Sequence, residues 1–164
     1  MFQNLKGNGR VWIYPANRVL TSTEQTAISA ELQTFCSSWD AHGNSLTADF
    51  TIAYNQILIL AVDEDQESAS GCSIDKATAV FRQFDQKYAF DLFNRMNLTF
   101  VLKDVVKIVK MAEIKQAYSV GLIKEDSVFL NNTVSTLSDF RTIWKQSFKE
   151  SWAFRKVKQF AKSS

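Results

Sequence analysis

With 164 residues, 46% of them apolar and 22% charged, the chain can bury roughly two-thirds of the surface its unfolded form exposes, which excludes a disordered or fibrous protein. Its two cysteines, Cys36 and Cys72, exclude a disulfide framework, and no apolar run approaches the about 20 residues of a membrane span. The formal net charge is only +2 but is uneven, because residues 141–164 carry seven Lys or Arg against one Glu.

That basic end reads either as a surface for phosphates or as the solvated face of a last helix. It lacks Arg clusters, glycine and any nucleic-acid module, so nucleic acid is not the expected partner. The first residues show no basic segment followed by an apolar one, so the expected location is cytoplasmic.

In chain order, residues 10–14, Arg-Val-Trp-Ile-Tyr, read as a strand stopped by Pro15. Ser22-Thr23-Glu24-Gln25 then matches a capping box, with Ser22 as N-cap and Gln25 reaching back. The helix that follows places Ile28, Leu32, Phe35, Cys36 and Trp39 on one stripe, and Gly43, after His42, reads as its left-handed stop. Two strands come next, over 45–54 and 57–62, joined at Asn55-Gln56. In the first, Leu46, Ala48, Phe50, Ile52 and Tyr54 alternate onto one face. The second is continuously apolar, as a strand covered on both faces would be.

An acidic loop with Asp63, Glu64, Asp65 and Glu67 leads through Ser70-Gly71-Cys72-Ser73 into a second helix, opening near Ser73, with Ile74, Ala77, Phe81, Phe84 and Tyr88 inward. A strand over 97–102 completes β-α-β-β-α-β. The fold class is therefore α+β, with a ferredoxin-like split βαβ core over about residues 10–102 and strand order 4-1-3-2. Residues 103–164 read as an appended layer. It consists of a helix from Asp104 to Gly121, a short strand over 127–130, and a helix starting at Thr136 with Phe140, Trp144, Phe148 and Trp152 four apart. No repeat or low-complexity linker marks a boundary, so the expectation is one domain over 1–164.

This topology brings the end of the first helix and the end of the third strand to one edge, making His42 and the Gly71-Cys72-Ser73 turn neighbours. As a binding site, the turn offers the backbone amides of Cys72 and Ser73 at a helix start, with Gly71 allowing close approach and Lys76 adding charge. Asp40, His42 and Asp75 complete that set; the acidic run beside it works against an anion, and Ser73 as a plain cap is the simpler account. As a catalytic site, Cys72 would be the nucleophile and His42 the base, oriented by Asp40 or Asp63. A lone Cys is otherwise a small apolar residue and a lone His a structural hydrogen-bonder. No metal site is expected, since one His and two Cys lack zinc spacing and the acidic loop lacks the pattern of an EF-hand. No GxxxxGK[ST] occurs, so ATP through a P-loop is not expected.

The stretches Arg10-Val11-Trp12-Ile13-Tyr14, Trp39-Asp40-Ala41-His42-Gly43, Ser70-Gly71-Cys72-Ser73-Ile74-Asp75, Asp91-Leu92-Phe93-Asn94-Arg95, Val128-Phe129-Leu130-Asn131-Asn132 and Glu150-Ser151-Trp152 together resemble a bacterial family of small proteins of unknown function, often labelled "ABC transporter ATPase". The chain departs from that label in having no Walker A loop and in being shorter than an ABC ATPase domain. The resemblance implies no activity, cofactor or catalytic residue, but it includes His42 and the Gly-Cys-Ser turn. Three readings stand open: a ligand-binding or regulatory domain with its site at 39–43 and 63–76, a small thiol-dependent enzyme using Cys72 and His42, and an interaction module. The last would dock a partner or a second copy through the aromatic, basic final helix. The ligand, and any cofactor, are left unnamed.

Overall fold

The computed structural model describes residues 1–5 and 8–161, with side chains described as far as residue 158. In chain order the elements are β1 (Gly9–Pro15), α1 (Ser22–Ser38), β2 (Asp40–Ala41), β3 (Asn44–Ser45), β4 (Thr47–Ala53), β5 (Ile57–Asp63) and α2 (Gly71–Tyr88). These are followed by β6 (Asn97–Leu102), β7 (Val105–Lys110), α3 (Ile114–Ser119), β8 (Val128–Leu130), α4 (Leu137–Ile143), β9 (Lys145–Ser147) and α5 (Trp152–Ala161). The chain is α+β, with two main antiparallel sheets of order β1-β5-β4 and β7-β6-β8-β9, and β2-β3 as a separate small hairpin.

Side-chain alternation divides the core into three parts. Leu58, Leu60 and Val62 of β5 face α1 and α2, together with Ile28, Leu32, Phe81 and Phe84. Ile57, Ile59 and Ala61 face the other way, against Val106 and Ile108 of β7, Leu130 of β8, and Leu137 and Phe140 of α4. A third cluster joins Phe100, Phe129 and Val109 of the second sheet to Ile114 and Ala117 of α3 and Phe154 of α5. The molecule is thus helices, sheet, sheet, helices, and β5 is covered on both faces as its unbroken apolar run requires.

The split βαβ expectation is met for three strands and not for the fourth. β5 lies between β1 and β4, as the order 1-3-2 demands, but β6 belongs to the second sheet. Lys103 and Asp104 both take positive φ, 51° and 63°, in a two-residue turn that pairs Leu102 with Val105, and β8 occupies the other edge of β6. Such a turn matches strand twist, so the local hairpin forms readily and leaves β6 no free edge to offer β1.

The same hairpin corrects the expected helix over 104–121. Residues 105–110 are a strand of mostly β-branched residues, with Val106 and Ile108 turned toward the first sheet and Lys107 exposed, and helix begins only after Lys110. Likewise Phe140, Trp144, Phe148 and Trp152 do not line one helix. α4 stops at Ile143, β9 pairs with β8, and the Phe154 N–H is capped by Ser151 Oγ at 3.2 Å, starting α5 afresh. Phe140 and Trp144 fall between the sheets, whereas Phe148 and Trp152 fall in the third cluster.

Helix ends differ from expectation by small shifts. The N-cap of α1 is Thr21, with Glu24 completing the capping box, because a carboxylate accepts the Thr21 N–H at 2.8 Å while Gln25 donates to the Leu20 carbonyl instead. α2 starts at Gly71 with Ser70 as its N-cap, so Ser73 lies inside the first turn. Trp39 is the extended cap of α1, and His42 with Gly43, at φ 51° and 82°, turns the β2-β3 hairpin rather than stopping the helix.

Candidate functional site

The edge expected from topology is formed. The Trp39 indole N–H donates to the Ser73 carbonyl at 2.8 Å, Lys76 Nζ lies 3.0 Å from Asp40 Oδ1, and Asn44 Nδ2 donates to Glu67 at 2.9 Å. The hydrogen bond from Lys76, and then its charge, hold the Asp40 carboxyl below its ordinary range. Lys76 therefore spends its charge within the protein. The Ser73 N–H is likewise occupied, by Ser70 Oγ at 3.2 Å, and the buried Ser73 hydroxyl donates to the Ser70 carbonyl at 2.8 Å.

Gly71, Cys72, Asp75 and His42 are exposed. Among the described residues neither the His42 nor the Cys72 side chain has a hydrogen-bond partner, so the nucleophile–base contact that an activated thiol needs is not made. Asp63 ends β5 and accepts the Asp65 N–H at 3.0 Å. The other thiol, Cys36, is buried, and desolvation, with a smaller contribution from Asp49, pushes it up to about 11.

The acidic loop is tied down by its own carboxylates. Glu64 accepts from Arg10 Nη2 at 2.6 Å, from Arg10 Nε at 3.0 Å and from the Ala69 N–H at 2.9 Å, and Asp65 accepts the Asn8 N–H at 3.0 Å. Among the described residues no group of three or more His, Cys, Asp or Glu is arranged to hold a metal ion. The final helix turns Ala153 and Phe154 into the third core cluster, so part of its aromatic face is spent on its own protein.

A partly open cavity lies elsewhere. It holds about 290 Å³ between the free edge of β1 and the second sheet, lined by residues 10–15, 92–95, 97–99 and 129–135 except Asn131, and by Trp152. It occupies the place beside β1 that a fourth strand of the split βαβ sheet would fill. Only one end of that edge is paired: Arg10 bridges to Thr136, and the Val11 N–H donates to the Ser135 carbonyl at 3.0 Å. Because strand groups alternate, the Ile13 N–H lies on the same free edge, and no described residue accepts it. Pro15, the next position in that alternation, has no N–H to offer.

The polar wall of the cavity is largely self-satisfied. Asn132 Nδ2 donates to Thr99 Oγ1 at 2.9 Å and its Oδ1 accepts the Trp144 indole at 3.1 Å. Asn131 Oδ1 accepts from Thr133 at 2.6 Å and from the Trp152 indole at 3.2 Å. Asn94 and Asn97 both donate to Asp91, at 2.8 and 3.0 Å. On the helical side the Tyr14 ring stacks on Phe81, with centroids 4.1 Å apart, and meets Phe93 at 5.3 Å. Burial raises the Tyr14 hydroxyl above its ordinary range, against the opposing hydrogen bond with Thr78 and the charges of Arg95 and Arg82.

Arg95, at the mouth of this cavity, carries no motif that would single it out for chemistry. The local signals are a proline ending a strand with an open edge and an Asn-Asn turn; nothing local shows that 92–99 and 129–135 face β1. The chain matches no family model, no curated protein and no solved structure. No helix among the described residues is long and apolar enough to cross a membrane.

Proposed function

We propose that this chain is a cytoplasmic small-molecule-binding domain whose ligand site is the cavity beside β1. The observation that carries this reading is the cavity itself: about 290 Å³, lined by apolar side chains and by polar groups from β1, β6 and the loops at 92–95 and 132–135. Ligand sites in proteins have that form and a volume of roughly 300 Å³ upward. The ligand-binding role expected from the sequence is kept, and its place moves from the 39–43 and 63–76 edge to the cavity. At the former edge Lys76 is paired with Asp40 and Glu67 is met by Asn44, whereas the free edge of β1 leaves a backbone donor unanswered.

Ligand-observed NMR with a fragment library tests this, comparing the native chain with Ser135→Trp and Lys76→Ala. Ser135 is exposed at the cavity wall, so the indole fills volume without emptying the core. Hits should be lost in Ser135→Trp and kept in Lys76→Ala. The reverse pattern would return the site to the 39–43 and 63–76 edge and overturn the proposal.

A further inference from the structure

We infer that the ligand of this cavity is an organic anion, a carboxylate on a body of one or two rings, with Arg95 as its charge partner. The inference rests on the reading of the cavity as a ligand site and adds the class of ligand. Size comes first. A cavity of about 150 Å³ holds benzene, so about 290 Å³ suits a body roughly twice as large. The apolar surface offered to it, from Phe93, Phe129, Leu98 and Leu130, suits rings better than a flexible polar chain.

Charge decides the rest. Among the described residues lining the cavity there are two arginines and no carboxylate. Arg10 is committed to Glu64. Arg95 is exposed at the mouth and has no ion pair or hydrogen bond among the described residues. A cationic ligand would meet this guanidinium, and the carboxylate next to the wall, Asp91, is already engaged by Asn94 and Asn97.

Hydrogen-bonding capacity points the same way. The Asn94 and Asn97 amides already donate to Asp91, the Asn132 amide to Thr99 and the Thr133 hydroxyl to Asn131. What is left over for a ligand includes the Ile13 N–H and its own carbonyl on the same free edge, and the five-donor guanidinium of Arg95, whose charge calls for an anionic acceptor. A carboxylate supplies two oxygens and the charge together, and the Arg fork matches it.

The test is isothermal titration calorimetry at low salt with 2-naphthoate and indole-3-acetate, their neutral amides, and 2-naphthylmethylammonium. Native protein, Arg95→Gln and Ser135→Trp are each titrated, and the Ile13 amide is followed by ¹⁵N NMR. The acids should bind about tenfold or more tightly than the amides, and the ammonium should not bind. Arg95→Gln should weaken the acids about tenfold and leave the amides unchanged, Ser135→Trp should weaken both, and the Ile13 amide should shift on binding.

Amides binding as tightly as acids, or acids indifferent to Arg95→Gln, would overturn the anion inference and leave the cavity reading standing. Acids that need Arg95 but ignore Ser135→Trp would be surface ion pairs, and both readings would fall. If no probe binds at millimolar concentration, both fall together.

Discussion

Removing Glu64 should unfasten the acidic loop from β1 at a measurable cost. Its carboxylate takes both Arg10 Nε and Nη2 and also the Ala69 N–H, while the same Arg10 donates to the Ala69 carbonyl at 2.7 Å. The Glu64 side chain is 17% exposed and Arg10 35%, so the pair lies between surface and core. Hydrogen bonds to charged groups contribute about 1.5–3 kcal/mol each when well shielded, and exposed ion pairs only about 0–1 kcal/mol. A bidentate pair at this depth, plus one orphaned amide, puts Glu64→Ala at about 2 kcal/mol. For a chain of this length that lowers Tm by about 4–8 °C.

Urea unfolding of Glu64→Ala, Arg10→Met and the double variant isolates the pair itself. Met keeps an apolar stem beside Trp12, whose ring lies 5.6 Å from the Arg10 guanidinium carbon. The coupling energy should be about 1.5 kcal/mol. A coupling under about 0.5 kcal/mol would mark an ordinary solvated ion pair and refute the claim that the loop is strapped by it.

Alkylation of the native chain by iodoacetamide at pH 8 should add one group, at exposed Cys72, and a second only in denaturant, because Cys36 is buried with its thiol raised to about 11; intact mass reads both. Glu24 is held down to about 2, first by the hydrogen bond from Arg18, against an ordinary value of 4.5. A depressed carboxyl stabilises the fold above the unfolded value and loses that contribution as pH falls toward the folded one. The Tm gap between native and Glu24→Gln should therefore be full at pH 7 and close between about pH 4.5 and 2. Gly9→Ala would bring a Cβ to 2.0 Å from the Val62 carbonyl oxygen and should cost about 3 kcal/mol, whereas Gly71→Ala meets nothing within 4 Å at a helix start and should be neutral or slightly stabilising in the same denaturation assay.

Much of the 39–76 edge is legible in the sequence, because it depends on the order of three strands and two helices. That order brings 39–43 and 70–76 to one edge, and the structure adds the contacts there, Trp39 to Ser73 and Asp40 to Lys76. What the edge does chemically is less legible. The charge of Lys76 and the amide of Ser73 look available in a sequence, and only packing shows each already taken, one by Asp40 and one by Ser70. The aromatic spacing from Phe140 to Trp152 misleads for a related reason. A period of four is what a helix would produce, but β8 presents a free edge, and Lys145–Ser147 pairs with it.

The sequence by itself determined the elements whose burial is written into their local pattern. These are the doubly covered strand Ile57–Asp63, the stripe of Ile28, Leu32 and Cys36, and the alternation from Leu46 as far as Ile52; the expected last member, Tyr54, takes φ 53° in the turn after β4 and falls in the other cluster, beside Trp144. Tertiary structure alone decided where Asn97–Leu102 would pair. Either edge of a strand is chemically equivalent, and a two-residue turn to Val105–Lys110 closes a far shorter loop than a return to β1. That choice drew the strand into the second sheet, left the Ile13 N–H unanswered on the free edge of β1, and formed the cavity that Arg95 overlooks.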